Sequence, residues 1–179
     1  HLPAWPVPKI FKLHKKGGLD IALFEGATIN TPSLLVIEDA IDALSWAEEI
    51  GGIEALLERV DTSFAHFMDW VGASLYFEVL ARDPATISPT ALCLVISGDW
   101  FTAQPNQVQA GFVKSMLALL EAEDVAVDIN AYRDAPTGLR IWGGPTVDPE
   151  DIASLLPWLE WAYETVRADL QDGSSHGDG

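Results

Sequence analysis

Two stretches of this chain bring together residue types that can hold an anion. The first is Thr28-Ile29-Asn30-Thr31-Pro32. Pro32 suits the first position of a helix and Thr31 its N-cap. A helix start carries unsatisfied backbone N–H groups and a partial positive charge. Asn30 and Thr31 would add neutral donors to a phosphate placed there; an ordinary helix cap would use the same residues. The second stretch is Tyr132-Arg133-Asp134-Ala135-Pro136-Thr137-Gly138-Leu139-Arg140. The chain has five arginines, and two of them fall in this loop and strand start. A guanidinium pairs bidentately with carboxylate or phosphate. Arg140, flanked by Leu139 and Ile141 in a strand pattern, is the stronger candidate. Arg133 could instead pair with Asp134, a surface contact worth little.

Other chemistry is thinly represented. There is no Walker loop, GxGxxG, HExxH or GxSxG motif. His1, His14, His66 and His176 are scattered without metal-ligand spacing, so no metal site is expected. His66 reads as a surface or packing residue. Cys93, the single cysteine, lies in the most apolar strand pattern and reads as core. Glu48-Glu49 and Glu121/Glu123/Asp124 read as solvated helix faces.

Composition narrows the function classes. The 179 residues are 49% hydrophobic, with seven Trp and seven Phe, which suffices for a real core. No apolar run approaches the ~18 residues of a membrane helix. Ten basic residues stand against 27 acidic ones, a formal charge of −17. That field disfavours nucleic acid and anionic membranes as partners. It also means that an anionic substrate needs a local cationic site to bind at all. Lys9, Lys12, Lys15 and Lys16 lie in residues 1–16, which hold no acid. The chain opens with His, and its methionines are Met68 and Met116. We expect that something precedes this start.

The elements that must position these residues follow from periodicity and punctuation. His1 to Pro8, with three prolines, should be an extended, docked segment. Lys16-Gly17-Gly18 reads as a turn between two short extended stretches. A helix from Pro32 places Leu34, Ile37, Ile41 and Leu44 on one face and ends at Gly51-Gly52. A second helix runs from about Ile53 to Val71 with Leu56, Val60, Phe64 and Phe67 inward. Leu75–Leu80 and a central Thr90–Ile96 read as strands. A third helix, near Pro105–Glu123, carries Val108, Phe112, Met116 and Leu119. Val125–Ile129 and Leu139–Trp142 read as short strands. Asp148-Pro149 opens a last helix with Ile152, Leu155, Leu159 and Val166 inward. Gln171–Gly179 reads as a solvated tail. The result is an α+β arrangement, with helices packed on a small, largely antiparallel sheet.

Three stretches of the chain resemble phosphoserine aminotransferase, in the branch found in alphaproteobacteria and some archaea: Pro3-Ala4-Trp5-Pro6-Val7-Pro8-Lys9-Ile10-Phe11, Thr28-Ile29-Asn30-Thr31-Pro32-Ser33 and Ala131-Tyr132-Arg133-Asp134-Ala135-Pro136-Thr137-Gly138-Leu139-Arg140-Ile141-Trp142. The likeness covers roughly residues 1–170. It implies the C-terminal portion of an α/β, fold-type-I enzyme dependent on pyridoxal 5'-phosphate. Residues 1–72 would be the end of the cofactor-binding large domain with connecting helices. Residues 73–170 would be the small domain and 171–179 a disordered tail. The implied protein is a cytoplasmic homodimer with active sites shared across the interface. It would pass an amino group from glutamate to 3-phosphohydroxypyruvate, giving 2-oxoglutarate and O-phosphoserine in serine biosynthesis. Many members also serve the phosphohydroxythreonine step of pyridoxine biosynthesis.

By the same resemblance, Asn30 and Thr31 match a pair that reaches the cofactor phosphate from the neighbouring subunit. Arg140 matches the arginine that grips the substrate α-carboxylate, and Arg133 one near the substrate phosphate. Tyr132-Arg133 departs from the commoner His-Arg pair, with one extra residue before the second arginine. Lys9, Lys12, Lys15, Lys16 and Lys114 are the only lysines, and none matches the aldimine lysine. The chain alone is therefore expected to be inactive, with apolar surface facing water where it would meet the rest of such an enzyme. Two other readings stay open: a serine- or alanine–glyoxylate type of aminotransferase, and a non-catalytic dimerisation or anion-binding module.

Overall fold

The computed structural model describes residues 5–175, in two compact units that divide between Ile50 and Gly51. In the first unit, β1 (His14–Lys15) and β2 (Gly18–Leu19) form an antiparallel hairpin. Its turn residues Lys16 and Gly17 have φ of 54° and 83°. That left-handed pair matches the twist of the flanking strands and is why Gly follows Lys there. Single 3-10 turns at Lys9–Phe11 and Ile21–Glu25 surround the hairpin, and α1 (Leu34–Glu49) follows.

Helix α1 starts later than its expected Thr31 cap and Pro32 first turn. Ser33 is the N-cap, with extended ψ of 120°, and its side chain makes no capping hydrogen bond. Pro32 disfavours the helical region for the residue before it, and the chain stays extended one residue beyond it. The apolar face of α1 was expected inward, yet Leu34, Ile37, Ile41 and Leu44 are exposed. The unit's other elements are a two-residue hairpin and short turns, too small to cover a four-turn helix. Trp5, at 70% exposure, is likewise not docked, and residues 1–4 of the expected docked segment lie outside the described residues.

The second unit has its own core. Helix α2 (Gly52–Ala73) leads into β3 (Phe77–Val79) and β4 (Ala91–Ile96), followed by the short α3 (Asp99–Thr102), α4 (Asn106–Ala122), β5 (Gly138–Trp142) and α5 (Pro149–Ser175). The sheet is antiparallel in the order β3-β4-β5, so the Thr90–Ile96 pattern is the central strand as expected. Phe77 pairs with Ile96, and Leu94 with Leu139. Every second residue of β4 (Leu92, Leu94, Ile96) is buried under the helices, as the two-residue period of a strand requires. Phe67 of α2, Phe112 and Met116 of α4, and Leu159 and Tyr163 of α5 close the core over that face. Arg59 of α2 donates to Pro145 O at 2.8 Å and pairs with Asp148, fixing α2 to the start of α5.

Three expectations change. Val125–Ile129 is not a strand: Asp124 and Asp128 have φ of 56° and 55°, and left-handed residues at both places break the extended run. A single bridge, Asn130 to Leu139, follows directly after the segment. Cys93 is half-buried rather than core, because strand alternation puts it on the sheet face opposite Leu92 and Leu94. Helix α5 continues to Ser175, five residues into the expected tail; each added helical residue gains a hydrogen bond once the helix is nucleated.

Two tyrosines make this core sensitive to alkali. Tyr76 donates to Glu164 Oε1 at 2.9 Å and stacks on Tyr163 with ring centroids 4.2 Å apart. The hydrogen bond to Glu164, and then burial, raise the Tyr76 phenol above its ordinary value. Burial raises that of Tyr163. Both protons are held more tightly in the folded chain. Their contribution is therefore whole below the unfolded phenol value near 10 and is lost as pH climbs through the folded values. Denaturant titrations between about pH 9 and pH 12 should show stability falling, with a shallower fall in Tyr76→Phe. A flat profile would remove this account.

Candidate functional site

Arg140 is the third residue of β5 and lies opposite Cys93 of β4. Its backbone N–H donates to Ile129 O at 2.8 Å, so the strand is held on both edges at this point. Leu139 and Ile141 are buried in the core, and alternation sends Arg140 to the other face, half-buried. There its guanidinium carbon lies 4.5 Å from the centroid of the Tyr132 ring. Its Nε is buried and lacks a hydrogen-bond partner among the described residues. A donor left so costs about 1–3 kcal/mol, and an arriving anion would recover it. A cavity of about 320 Å3, with Asp128, Asp151 and Trp142 on its walls, opens beside Arg140. Arg167 Nε is also without a partner, but its guanidinium carbon lies 5.8 and 5.9 Å from the Tyr76 and Tyr163 rings, within the helical layer.

Arg133 is placed differently. Ala135 N–H donates to Tyr132 O at 2.9 Å, closing a turn with Arg133 and Asp134 at its centre. Arg133 is exposed, and among the described residues it forms no ion pair with Asp134. It lines a second cavity of about 440 Å3, together with Tyr132 and Thr137. The two arginines thus border separate cavities, and Tyr132, which stacks on one and lines the cavity of the other, stands between them. The tyrosine's contact with Arg140 is not legible in the sequence. The signal for it was an aromatic residue eight positions before a half-buried arginine, which has meaning only once the loop folds back on β5.

Asn30 and Thr31 lie exposed in the first unit, ahead of α1. No side chain caps that helix at Ser33, so its first-turn N–H groups remain available to an anion. His66 is exposed on α2 and lines one cavity with Glu54, Asp61 and Asp69. Among the described residues no group of His, Cys, Asp and Glu could hold a metal, and no helix is long and apolar enough to cross a membrane.

No family model matches the chain. Its relatives do carry a consistent name. It is 41% identical over 167 residues to a phosphoserine aminotransferase of Methanosarcina mazei, and 42% identical over the same length to that of Methanosarcina barkeri. Each match covers 93% of this chain and 42% of the relative. A phosphoserine aminotransferase of Rhodococcus jostii is 27% identical over 140 residues, covering 78% of this chain and 34% of the relative. The chain spans less than half the length of the curated relatives it matches. The expected likeness is therefore shown: the chain is a homologue of part of the phosphoserine aminotransferases, with a mixed fold of helices and small antiparallel sheets.

Proposed function

We propose that this homologue of the phosphoserine aminotransferases works as the C-terminal part of a phosphoserine transaminase dependent on pyridoxal 5'-phosphate. The observation that carries the reading is Arg140: a half-buried guanidinium, braced by the Tyr132 ring, with a buried Nε that lacks a partner. Such a group binds the α-carboxylate of an amino or keto acid and fixes its orientation through a planar fork. Arg133, exposed and with no ion pair among the described residues, takes the substrate's phosphate. The separate cavities of the two arginines suit a homodimer whose active site draws on both copies.

The cofactor's phosphate end fits the entrance to α1, where Asn30 and Thr31 precede uncapped N–H groups. When bound, the cofactor supplies an electron sink for bond changes at the substrate Cα. Its anchoring lysine is none of Lys9, Lys12, Lys15, Lys16 or Lys114, so the chain alone binds and orients without completing the transfer. In this reading residues 73–170 form the small domain, with α2 as the connecting helix packed on it. The site of action is the cytoplasm and the pathway is serine biosynthesis.

The test is an assay of the complete polypeptide that carries this sequence, supplied with glutamate and 3-phosphohydroxypyruvate. Formation of 2-oxoglutarate and O-phosphoserine is expected. No turnover, or equal turnover of unphosphorylated keto acids that Arg133→Ala leaves intact, would overturn the reading.

A further inference from the structure

The cavity beside Arg133 has a second cation that nothing above assigns. Its opposite wall is one face of α4, where Ala110, Val113, Lys114 and Leu117 recur at three- and four-residue spacing. Lys114 is exposed on that wall, and among the described residues it has no hydrogen-bond or ion-pair partner. Asn130 and Thr137 add an amide and a hydroxyl to the lining, and no Asp or Glu contributes. Two cations in one lining stand out in this chain. From residue 17 onward there are six basic residues, Arg59, Arg82, Lys114, Arg133, Arg140 and Arg167, against all 27 acids. The cavities along α2 and beside Arg140 both carry carboxylates. Two of the six cations line one cavity whose lining holds no carboxylate.

The geometry points to Lys114 as a second phosphate-holding residue, acting with Arg133 on a phosphate monoester seated between α4 and the 130–138 loop. This rests on the reading of Arg133 as a phosphate contact. Two positive charges and two neutral donors match a group that carries −1.5 to −2 charge and several strong acceptor oxygens. A lone carboxylate offers half that charge. Tyr132 is engaged with the Arg140 guanidinium, so the loop itself brings one cation to the cavity. Helix α4 brings the other. Arginine supplies a directional fork and lysine a mobile point charge, so substrates differing in where the phosphate sits would still be held.

The probe is O-phospho-L-serine titrated by calorimetry into the complete polypeptide that carries this sequence, with L-serine as the unphosphorylated control; no binding to the unaltered protein overturns the site. Lys114→Gln and Arg133→Gln are each expected to weaken phosphoserine binding about tenfold, in keeping with loss of one charge-assisted contact. Arg82→Gln, a cation that lines no part of the cavity, should change nothing. Binding to the unaltered chain should tighten as pH rises through about 6, where the monoester becomes a dianion, and Lys114→Gln should flatten that rise. If Arg133→Gln weakens binding and Lys114→Gln does not, the lysine's role is overturned while the arginine's stands. If neither has an effect, both fall. If Arg82→Gln weakens binding as much as Lys114→Gln, a diffuse field replaces the site and the proposal fails.

Discussion

If Arg140 holds the substrate carboxylate as proposed, Arg140→Ala in the complete polypeptide should lower kcat/KM for the amino donor by about a hundredfold or more. The estimate follows from removing one partner of a desolvated charge pair, which costs roughly 2–5 kcal/mol. Arg140→Lys recovers a part only, because an ammonium keeps the charge and loses the planar fork. The side chain faces away from the core, and the relief of its unpartnered Nε offsets the lost contact with the Tyr132 ring, so thermal stability should hardly change. That separation makes the test informative. Tyr132→Phe keeps the ring under the guanidinium and should stay near full activity, whereas Tyr132→Ala should raise KM with kcat less affected. Steady-state kinetics on the four variants decide it. Full activity in Arg140→Ala would remove the carboxylate role.

Gly138→Ala should destabilise the same region from the backbone side. A Cβ built on Gly138 meets Leu94 O at 2.0 Å and Leu94 C at 3.1 Å. These are backbone atoms of the central strand and cannot swing aside. The glycine is needed for this close approach of β4 and β5, two residues before Arg140. Elsewhere in a strand, Gly→Ala usually stabilises by a few tenths to about 1 kcal/mol. Here the expected sign is reversed, with a loss on the order of 3 kcal/mol from overpacking. For a chain of this size that lowers Tm by roughly 6–12 °C. Calorimetry on the purified variant checks it, and an unchanged or raised Tm would mean that the β4–β5 pairing differs from the one described.

Much of this arrangement was legible in the chain itself. The central strand, the Asp148-Pro149 helix start, the Lys16-Gly17 turn and the inward faces of α2 and α5 depend on local conformational preference and on apolar periodicity, both of which are written in consecutive residues. The candidate anion residues were legible because arginine is scarce in so acidic a chain. Other features depend on what arrives from elsewhere in the sequence. The strand itself is legible, but the all-apolar run Ala91–Ile96 does not say that helices would cover one face only and leave Cys93 half-buried. The apolar stripe of α1 is equally clear in the sequence, yet stripes state a capacity for burial and not its fulfilment. At Asp124 and Asp128 two left-handed residues override the strand propensity of Val125–Ile129, because both aspartates tolerate that conformation and neither warns of it by type. The pairing of Tyr132 with Arg140, and the meeting of Lys114 with Arg133 across a cavity, bring together residues 8 and 19 positions apart. Composition and spacing named the arginines. Which groups face them is a property of how the loop and α4 close on the sheet, since contacts at that separation are set by packing and chain reversal and leave no periodic trace.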